Sequence, residues 1–386
     1  MDNCRYEGCN EEVFEDGYCI LHINLPADEK SEEFKRINAL KGEKVQEKID
    51  NKDFNFEGAK LSLFSIVNDN RIGKLNLSKA HITKFIEVFD SNIGSIRLDE
   101  AKVEGYVIFQ DSKIGSDISL VDANIKSITI NQSKKPVEIF GDIRLKNSII
   151  NNIMFNGIKA RRYVFLNGNI IKGDVLFYDV DINIDLDFSN TEIGDKAVFL
   201  NVKMNGDFKF NNAKISNDIY VDVTSRGMYF NHTLFKMPET QEKTCRIIRN
   251  FWEALGDKEE ADYYFYHEME AKRKQKPFYI RKPEWIFQKS FAYGVYPLRL
   301  FVTFSFIFIG FSLIYWYKTG IYINNSFNAA NLINSIRFSF LTLIIPAYGI
   351  VSQSAVNYGI WIIIEAIFGA FMWPLFIAVF ARKYMR

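Results

Sequence analysis

An apolar position that recurs every 10 to 12 residues limits what this chain can fold into more than any other feature of its sequence. The position lies in short alternating triplets such as Ile118-Ser119-Leu120, which predict strands. Two units make a period of about 21–22 residues, so 52–236 holds roughly eight periods. The repeated positions are Leu77, Val88, Leu98, Phe109, Leu120, Ile130, Leu145, Phe155, Phe165, Phe177, Phe188, Phe199, Phe210 and Val221, with one break at Lys134-Lys135-Pro136.

Short strands at this spacing occur in sandwiches, propellers and solenoids. A sandwich does not need a strict period, whereas a solenoid does, because each coil buries its interior on the next coil. We therefore predict a β-solenoid over 52–236. The repeats resemble those of the pentapeptide-repeat family. This resemblance implies a right-handed quadrilateral β-helix that serves as a surface or a spacer.

The last fifth of the chain has a different composition from the rest. Over all 386 residues, 48 Lys and Arg face 47 Asp and Glu, and the mean hydropathy of −0.10 is that of a soluble protein. From Leu298 to Ala381, however, 84 residues contain only four charged side chains. The stretches 300–317 and 358–381 are each long enough for a membrane-spanning helix.

The basic residues around these two stretches predict an orientation. Lysines and arginines precede the first span and follow the second, and the positive-inside rule places such segments in the cytosol. We expect a multi-pass cell-membrane protein with both termini cytoplasmic, without a signal peptide, because no apolar run opens the chain. The flanking cations are Lys272, Arg273, Lys274, Lys276, Arg281, Lys282, Arg382, Lys383 and Arg386.

The segment between the two spans resembles the pore helix and filter of the two-transmembrane potassium-channel superfamily. It reads FSFLTLIIPAYG over 338–349, and the residues that match in register are Phe338, Ser339, Thr342, Tyr348 and Gly349. In the second span, Glu365, Gly369 and Arg382 match an E-x3-G…R pattern of pentapeptide-repeat proteins with this pore. The resemblance implies an α-helical two-transmembrane pore domain with a re-entrant pore helix, permeant ions and a homotetramer.

The filter positions depart from that family. Ile345 supplies no hydroxyl, Pro346 fixes φ and removes an N–H, and Ala347 disfavours the left-handed backbone that a filter glycine adopts. Although Tyr348 and Gly349 match the family, these three departures predict a filter that is not potassium-selective. Two interpretations remain: a pore of altered or low selectivity, and a degenerate pore that only anchors or oligomerises the chain.

Four further residues are candidates for pore support or gating. Glu365 lies inside the second span, where an ionisable group is by default functional or paired. It could brace the pore helix, with Arg337 as a partner, or reach the lipid headgroups. Gly369 and Pro374 could bend the second span at a gate. Close helix packing is the alternative role of Gly369.

The first 25 residues contain a candidate metal site. Cys4, Cys9, Cys19 and His22 follow the spacing C-x4-C-x9-C-x2-H, and Cys3His is a common structural zinc set. Four protein ligands leave no position for water, so the pattern predicts a structural role. Glycines adjoin the ligand positions, where tight turns are needed. Unligated cysteines or a redox pair are the alternatives.

The remaining segments connect these parts. The predicted domains are a zinc knuckle (1–25), a capping helix (26–51), the solenoid (52–236), a helical hairpin with a juxtamembrane linker (237–289) and the pore domain (290–386). The apolar spacing of Glu32 to Asp50 predicts an amphipathic helix that caps the solenoid. The helical spacing around Cys245 predicts a buried core position for this thiol.

The sequence predicts an ion channel rather than an enzyme. It has neither a phosphate-binding Gly-Lys-Ser/Thr loop nor a dinucleotide fingerprint. The balanced net charge of +1 argues against a nucleic-acid partner and against a DNA-mimicking repeat protein, which would be acidic. Lipid, permeant ions and a protein or ligand partner of the solenoid are the expected partners. The alternative is a non-conducting, membrane-anchored scaffold whose solenoid binds a partner protein.

Overall fold

The chain forms two compact units, Met1–Trp252 and Glu253–Arg386. A computed structural model describes residues 3–69, 72–317, 321–323, 326–328, 332–345 and 359–384. The predicted filter residues Pro346, Ala347, Tyr348 and Gly349 lie outside the described residues.

Seven α-helices occur in the described ranges. They are α1 (Glu32–Asp50), α2 (Pro238–Leu255), α3 (Lys258–Lys274), α4 (Phe278–Phe291), α5 (Pro297–Tyr317), α6 (Leu332–Ile344) and α7 (Gly359–Tyr384). α1 matches the predicted capping helix, and α4 begins in the segment expected to be a juxtamembrane linker and ends two residues after it. A 3-10 turn, Ala292–Gly294, separates α4 from α5.

Parallel strands build a β-solenoid of about eight turns, as the period predicts. A short antiparallel pair, β24 (Ile321–Ile323) and β25 (Ser326–Asn328), lies in the second unit. Among the described residues of the first unit, the strands are β1 (Lys60–Val67), β2 (Ile72–Asn76), β3 (His81–Phe89), β4 (Asn92–Arg97), β5 (Lys102–Gln110), β6 (Lys113–Ile114), β7 (Ile118–Val121), β8 (Asn124–Asn131), β9 (Val137–Ile139), β10 (Ile143–Lys146), β11 (Ile149–Asn156), β12 (Ile158–Ala160), β13 (Val164–Phe165), β14 (Ile170–Ile171), β15 (Val175–Ile182), β16 (Leu186–Asp187), β17 (Glu192–Ile193), β18 (Ala197–Met204), β19 (Asp207–Lys209), β20 (Lys214–Ile215), β21 (Ile219–Thr224), β22 (Gly227–Tyr229) and β23 (Leu234–Phe235).

The repeated apolar residues stack in two columns along the interior. Each residue of a column pairs with its equivalent in the next coil, so apolar surface is buried between coils rather than within one coil. The aromatic rings continue this stacking, with ring centroids 4.7 Å apart for Phe155 and Phe177 and 4.7 Å apart for Phe188 and Phe210. One column is Ile66, Val88, Phe109, Ile130, Phe155, Phe177, Phe199 and Val221. The other includes Leu77, Leu98, Leu120, Leu145, Leu166, Phe188 and Phe210.

The prediction was wrong by one residue at Phe165. This side chain is half-buried on the outer surface, where it stacks on Tyr163 at 5.1 Å and lies under the Lys146 ammonium at 4.5 Å. Leu166 is the fully buried member of the column. Because strand side chains alternate between the two faces, a shift of one residue exchanges inside for outside.

The corners of the coils use left-handed backbone, in most cases at Asp or Asn. Equivalent corner residues have φ near +55°, such as Asp122 (+56°) and Asn212 (+56°), and Asp and Asn tolerate this region. Gly157 and Gly168 also adopt positive φ, whereas Gly194 serves a different purpose. At Gly194 a Cβ atom would lie 2.3 Å from the carbonyl oxygen of Lys172, so glycine lets neighbouring coils approach there.

A helix packs on the solenoid near each end. At the start, α1 buries Phe34, Ile37 and Ile49. After the last coil, α2 buries Cys245, as expected, and also Trp252. The Trp252 indole donates a hydrogen bond to the Met228 carbonyl at 3.0 Å. These helices shield interior surface that a further coil would otherwise bury.

Two helices of the second unit are long and apolar enough to cross a membrane. They are α5 and the part of α7 over Ile360–Ala381, which gives weak support for a membrane location. The shorter α6 packs with both helices around an apolar cluster of Phe311, Tyr315, Phe338 and Ile362.

Replacing an inward residue of the solenoid should cost far more stability than replacing its outward neighbour. We expect Leu166→Ala to lower the free energy of unfolding by about 2–5 kcal/mol, because it leaves a cavity between coils. The matched variant Phe165→Ala should cost about 1 kcal/mol or less. Denaturant titration of the purified full chain, followed by its β-sheet circular dichroism, measures both. Equal losses would contradict the assigned register.

Candidate functional site

Three thiols and an imidazole converge near the N-terminus. The Cys4 and Cys19 sulfurs lie 3.4 and 3.2 Å from Nδ1 of His22, and the Cys9 and Cys19 sulfurs lie 3.8 Å apart. All four ligand atoms are within 4.8 Å of one another. Bond lengths of ~2.3 Å to sulfur and ~2.0 Å to nitrogen give tetrahedral edges of about 3.8 and 3.5 Å. The cluster therefore has dimensions that fit a tetrahedral metal ion.

Two tight turns bring these ligands together. Gly8 and Gly17 adopt φ of +80° and +82°, as the need for turns beside the ligands predicts. The Arg5 amide donates to the Gly17 carbonyl at 2.8 Å, which pairs the two ligand-bearing segments. The Cys19 amide donates to the Cys4 sulfur at 3.2 Å and so favours a thiolate there.

The orientation of His22 leaves Nδ1 free to bind a metal. Its Nε2 lies 2.9 Å from the Glu57 carbonyl oxygen, which can only accept, so Nε2 carries the proton. The ring stacks on Tyr6 with centroids 4.1 Å apart. Tyr6 in turn lies against Gly58, where a Cβ atom would be 2.2 Å from the phenol ring. Such outer contacts fix the tautomer and the direction of a metal-binding imidazole.

The electrostatics of the cluster favour a bound cation. Burial is the main cause that raises the pKa of Cys9, to about 12, and the Cys19 charge adds to it. Burial likewise raises the pKa of Cys19. For Cys4 burial is opposed by amide hydrogen bonds from Cys19 and Tyr6, and its pKa falls to about 7. Three thiolates therefore need a compensating positive charge at neutral pH, which a divalent metal supplies.

The segment that carries these four side chains also continues the backbone ladder of the solenoid. The Leu21 carbonyl accepts from the Lys60 amide at 2.8 Å, and one coil later the Ala59 carbonyl accepts from the His81 amide at 2.9 Å. Leu21, two residues after Cys19, thus lies where the counterpart of Ala59 would lie in one further coil. The sequence prediction missed this role because the 1–25 segment lacks the repeat period.

A buried lysine of α1 supports the same segment. The Lys41 ammonium, only 1% exposed, donates to the carbonyls of Ile20, Leu21 and Ile23 at 2.6, 3.3 and 2.9 Å. Burial lowers the pKa of this ammonium to about 7. The predicted apolar face of α1 did not include this residue, since a lysine is rarely buried without a partner.

In the second unit, a buried carboxylate joins three helices. Glu365 of α7 is 0% exposed. It accepts a hydrogen bond from the Tyr315 hydroxyl of α5 at 2.7 Å and a short one from the Ser339 hydroxyl of α6. Among the described residues these two hydroxyls are its hydrogen-bond partners, and the suggested partner Arg337 has an exposed side chain.

The other predicted pore residues take distinct positions. Thr342 is buried and donates to the Phe338 carbonyl of its own helix at 2.9 Å. Ile345 directly follows α6 and is exposed. At Gly369 a Cβ atom would lie 2.4 Å from the Leu343 carbonyl oxygen, so this glycine lets α7 approach α6 closely. Pro374 lies inside α7.

Comparison with family models, curated proteins and solved structures finds no match to this chain.

Loss of a metal bound by Cys4, Cys9, Cys19 and His22 should loosen the first coil and spare the last one. A chelator, or the variant Cys9→Ser, should accelerate amide hydrogen exchange over 52–67, because the ladder of that coil continues onto the segment that carries the four side chains. Exchange over 219–235 should stay unchanged. Cys245→Ala is the matched control and should retain one metal per chain. Unchanged exchange over 52–67 after metal loss would contradict the capping role.

Adding one methyl group should disturb the α6–α7 contact but not the rest of the second unit. We expect Gly369→Ala to lower the unfolding free energy by about 1–3 kcal/mol, because the methyl group overlaps a backbone carbonyl. Gly310→Ala, with no atom within 4 Å of the added Cβ, should be neutral or stabilise by about 0.5–1 kcal/mol. Thermal melting of the full chain in detergent compares the two. Equal effects would argue against close packing at Gly369.

Proposed function

We propose that this chain is a subunit of a homotetrameric ion channel with a cytosolic β-solenoid that regulates or assembles it. The observation that carries the proposal is the buried Glu365 carboxylate, which holds the short helix α6 against both candidate spans through Ser339 and Tyr315.

The length of α6 supports a pore loop. Its 13 residues extend about 20 Å, too short to cross a hydrocarbon core of about 30 Å. Chain that turns back at membrane depth is tolerated where it lines an aqueous cavity or is buried in protein. An apolar helix held between two spans is therefore the arrangement expected of a re-entrant pore helix.

Several subunits are needed to surround a pathway, because three helices of one chain cannot enclose it. Closed rings of identical subunits are the usual solution. The number four follows from the resemblance to the two-transmembrane potassium channels. The apolar faces that α5 and α7 leave exposed, including Phe306 and Phe371, would contact lipid or neighbouring subunits.

The filter residues determine what permeates. Ile345 lacks the hydroxyl that a potassium filter has at this position. Pro346 fixes φ, and Ala347 disfavours the positive φ that a filter glycine adopts, so the backbone is not suited to the carbonyl rings of a potassium filter. We propose a cation pathway of low selectivity between K⁺ and Na⁺.

We also propose that the solenoid and both termini lie on the cytosolic side of a cell membrane, the orientation that the positive charges beside the two spans favour. Labelling of a cysteine introduced at the exposed Tyr220 of the solenoid, from either side of sealed membranes, tests that orientation.

We also propose that the metal of the N-terminal cluster is Zn²⁺. Three thiolates and one imidazole in a tetrahedral set are typical of structural zinc. Its role here is to close the solenoid end, and the proposal assigns no catalytic activity to the chain. Elemental analysis of the purified protein should find one zinc per chain, and a different metal or none would contradict the assignment.

Bilayer recording of the reconstituted protein tests conduction and selectivity together. We expect a reversal potential near zero with KCl on one side and NaCl on the other, because the filter lacks potassium-selective features. The triple variant Ile345→Thr, Pro346→Val, Ala347→Gly should shift the reversal potential toward that of K⁺. Strong K⁺ selectivity of the natural chain would contradict the filter argument. Absence of any conductance would favour the alternative function, a membrane-anchored scaffold whose solenoid binds a partner.

A further inference from the structure

One of the four clustered side chains near the N-terminus can be reached from solvent. Cys4, Cys19 and His22 are buried, whereas Cys9 is only half-buried. A cavity of about 390 Å³ opens beside Cys9, and Cys19 and His22 lie at its inner wall. A small molecule that enters this cavity therefore meets the cluster at Cys9, its most exposed member.

The cavity can admit a small uncharged oxidant. A water molecule takes up about 30 Å³ in the liquid, so hydrogen peroxide, which has one more oxygen atom, fits inside. The charged side chains of the lining are one ammonium and four carboxylates, Lys48, Glu7, Glu11, Asp53 and Glu57. Two of the carboxylates also pair with lysines outside the lining, yet acids still outnumber these ammonium groups. The excess negative charge disfavours anionic oxidants and leaves neutral peroxide unaffected.

A second thiol lies within reach of Cys9. The Cys9 and Cys19 sulfurs are 3.8 Å apart, and a disulfide needs about 2.05 Å. Gly8, directly before Cys9, has no atom within 4 Å of the position that a Cβ atom would take. The turn that carries Cys9 therefore has space to move by the small distance that a bond to Cys19 requires.

The other two members of the cluster are held by different contacts. The Cys4 sulfur accepts from the Cys19 amide at 3.2 Å, and His22 is fixed by the Glu57 carbonyl at 2.9 Å. A disulfide between Cys9 and Cys19 would leave only these two ligands. Structural zinc is almost always bound by four protein ligands, so the oxidised segment would not retain the ion.

We propose that Cys9 is an oxidation site for hydrogen peroxide and that Cys19 converts the product to a disulfide. The Cys9 thiolate attacks one peroxide oxygen, the O–O bond breaks and hydroxide leaves, which gives a sulfenic acid. The Cys19 thiolate then attacks the Cys9 sulfur, the S–S bond forms, the S–O bond breaks and a second hydroxide leaves. The two sulfurs give up two electrons to one peroxide, and protons from solvent convert both hydroxides to water.

Oxidation at this site would weaken the N-terminal end of the solenoid. The Leu21 carbonyl, which accepts from the Lys60 amide of the first coil at 2.8 Å, is only two residues from Cys19. Loss of the metal would remove the bonds that fix this segment against the coil. The inference rests on the metal site of the proposed function and goes beyond it by assigning a modification site and its class of oxidant.

Peroxide treatment of the purified full chain tests both steps. The variant Cys245→Ala is used, because it removes the single thiol outside the cluster. We expect loss of the bound zinc, followed with a chromogenic chelator, and a disulfide between Cys9 and Cys19 in the peptide map. Amide hydrogen exchange over 52–67 should accelerate on oxidation. Dithiothreitol with added zinc should reverse all three changes.

A second variant separates the two thiols. Cys19→Ser in the same background removes the thiol that forms the disulfide, so a sulfenic acid should accumulate at Cys9, where dimedone labels it. Zinc retained under peroxide, a disulfide between other cysteines, or dimedone mainly on Cys4 would overturn the proposal. A chain purified without metal would contradict the zinc assignment alone, and the disulfide map would still decide whether Cys9 and Cys19 react as proposed.

Discussion

Stacking of one coil on the next is the interaction on which the first unit depends. A coil of 21–22 residues cannot enclose its own core, so its inward side chains must pack on those of the neighbouring coils. The columns that contain Phe177 and Phe188 meet this need along the whole solenoid. The same constraint creates a problem at each end, where the last coil has apolar surface and unpaired backbone groups but no neighbour.

The two ends meet that problem with different chemistry. At the C-terminal end, Trp252 of α2 covers the last coil and donates to its backbone. At the N-terminal end, a segment without the repeat period supplies the Leu21 carbonyl as an extra rung. Such a short irregular segment has little core of its own, so ligand bonds to a metal and the Lys41 contacts would hold it in place.

The second unit is organised by polar groups in an apolar setting. Glu365 links three helices, and each hydrogen bond there is favoured because the alternative is an unsatisfied buried group. Outside the candidate spans, the buried Gln288 accepts from the Arg273 guanidinium and donates to the Tyr266 hydroxyl, and so fixes how α4 faces its surroundings. Both groups set the direction of helices whose apolar surfaces alone would allow many arrangements.

The sequence by itself determined the solenoid, its period, the helix Glu32–Asp50 and the grouping of Cys4, Cys9, Cys19 and His22, because these depend on local spacing. Only the tertiary structure decided which residue of the 165–166 pair points inward. Both residues are apolar, and neighbouring side chains of a strand point to opposite faces, so a register error of one residue exchanges inside for outside. It also decided that Ser339 and Tyr315 bind Glu365, and that Leu21 extends the ladder. Those contacts join residues far apart in the chain, and no local pattern encodes which hydroxyl or carbonyl a folded chain brings within reach.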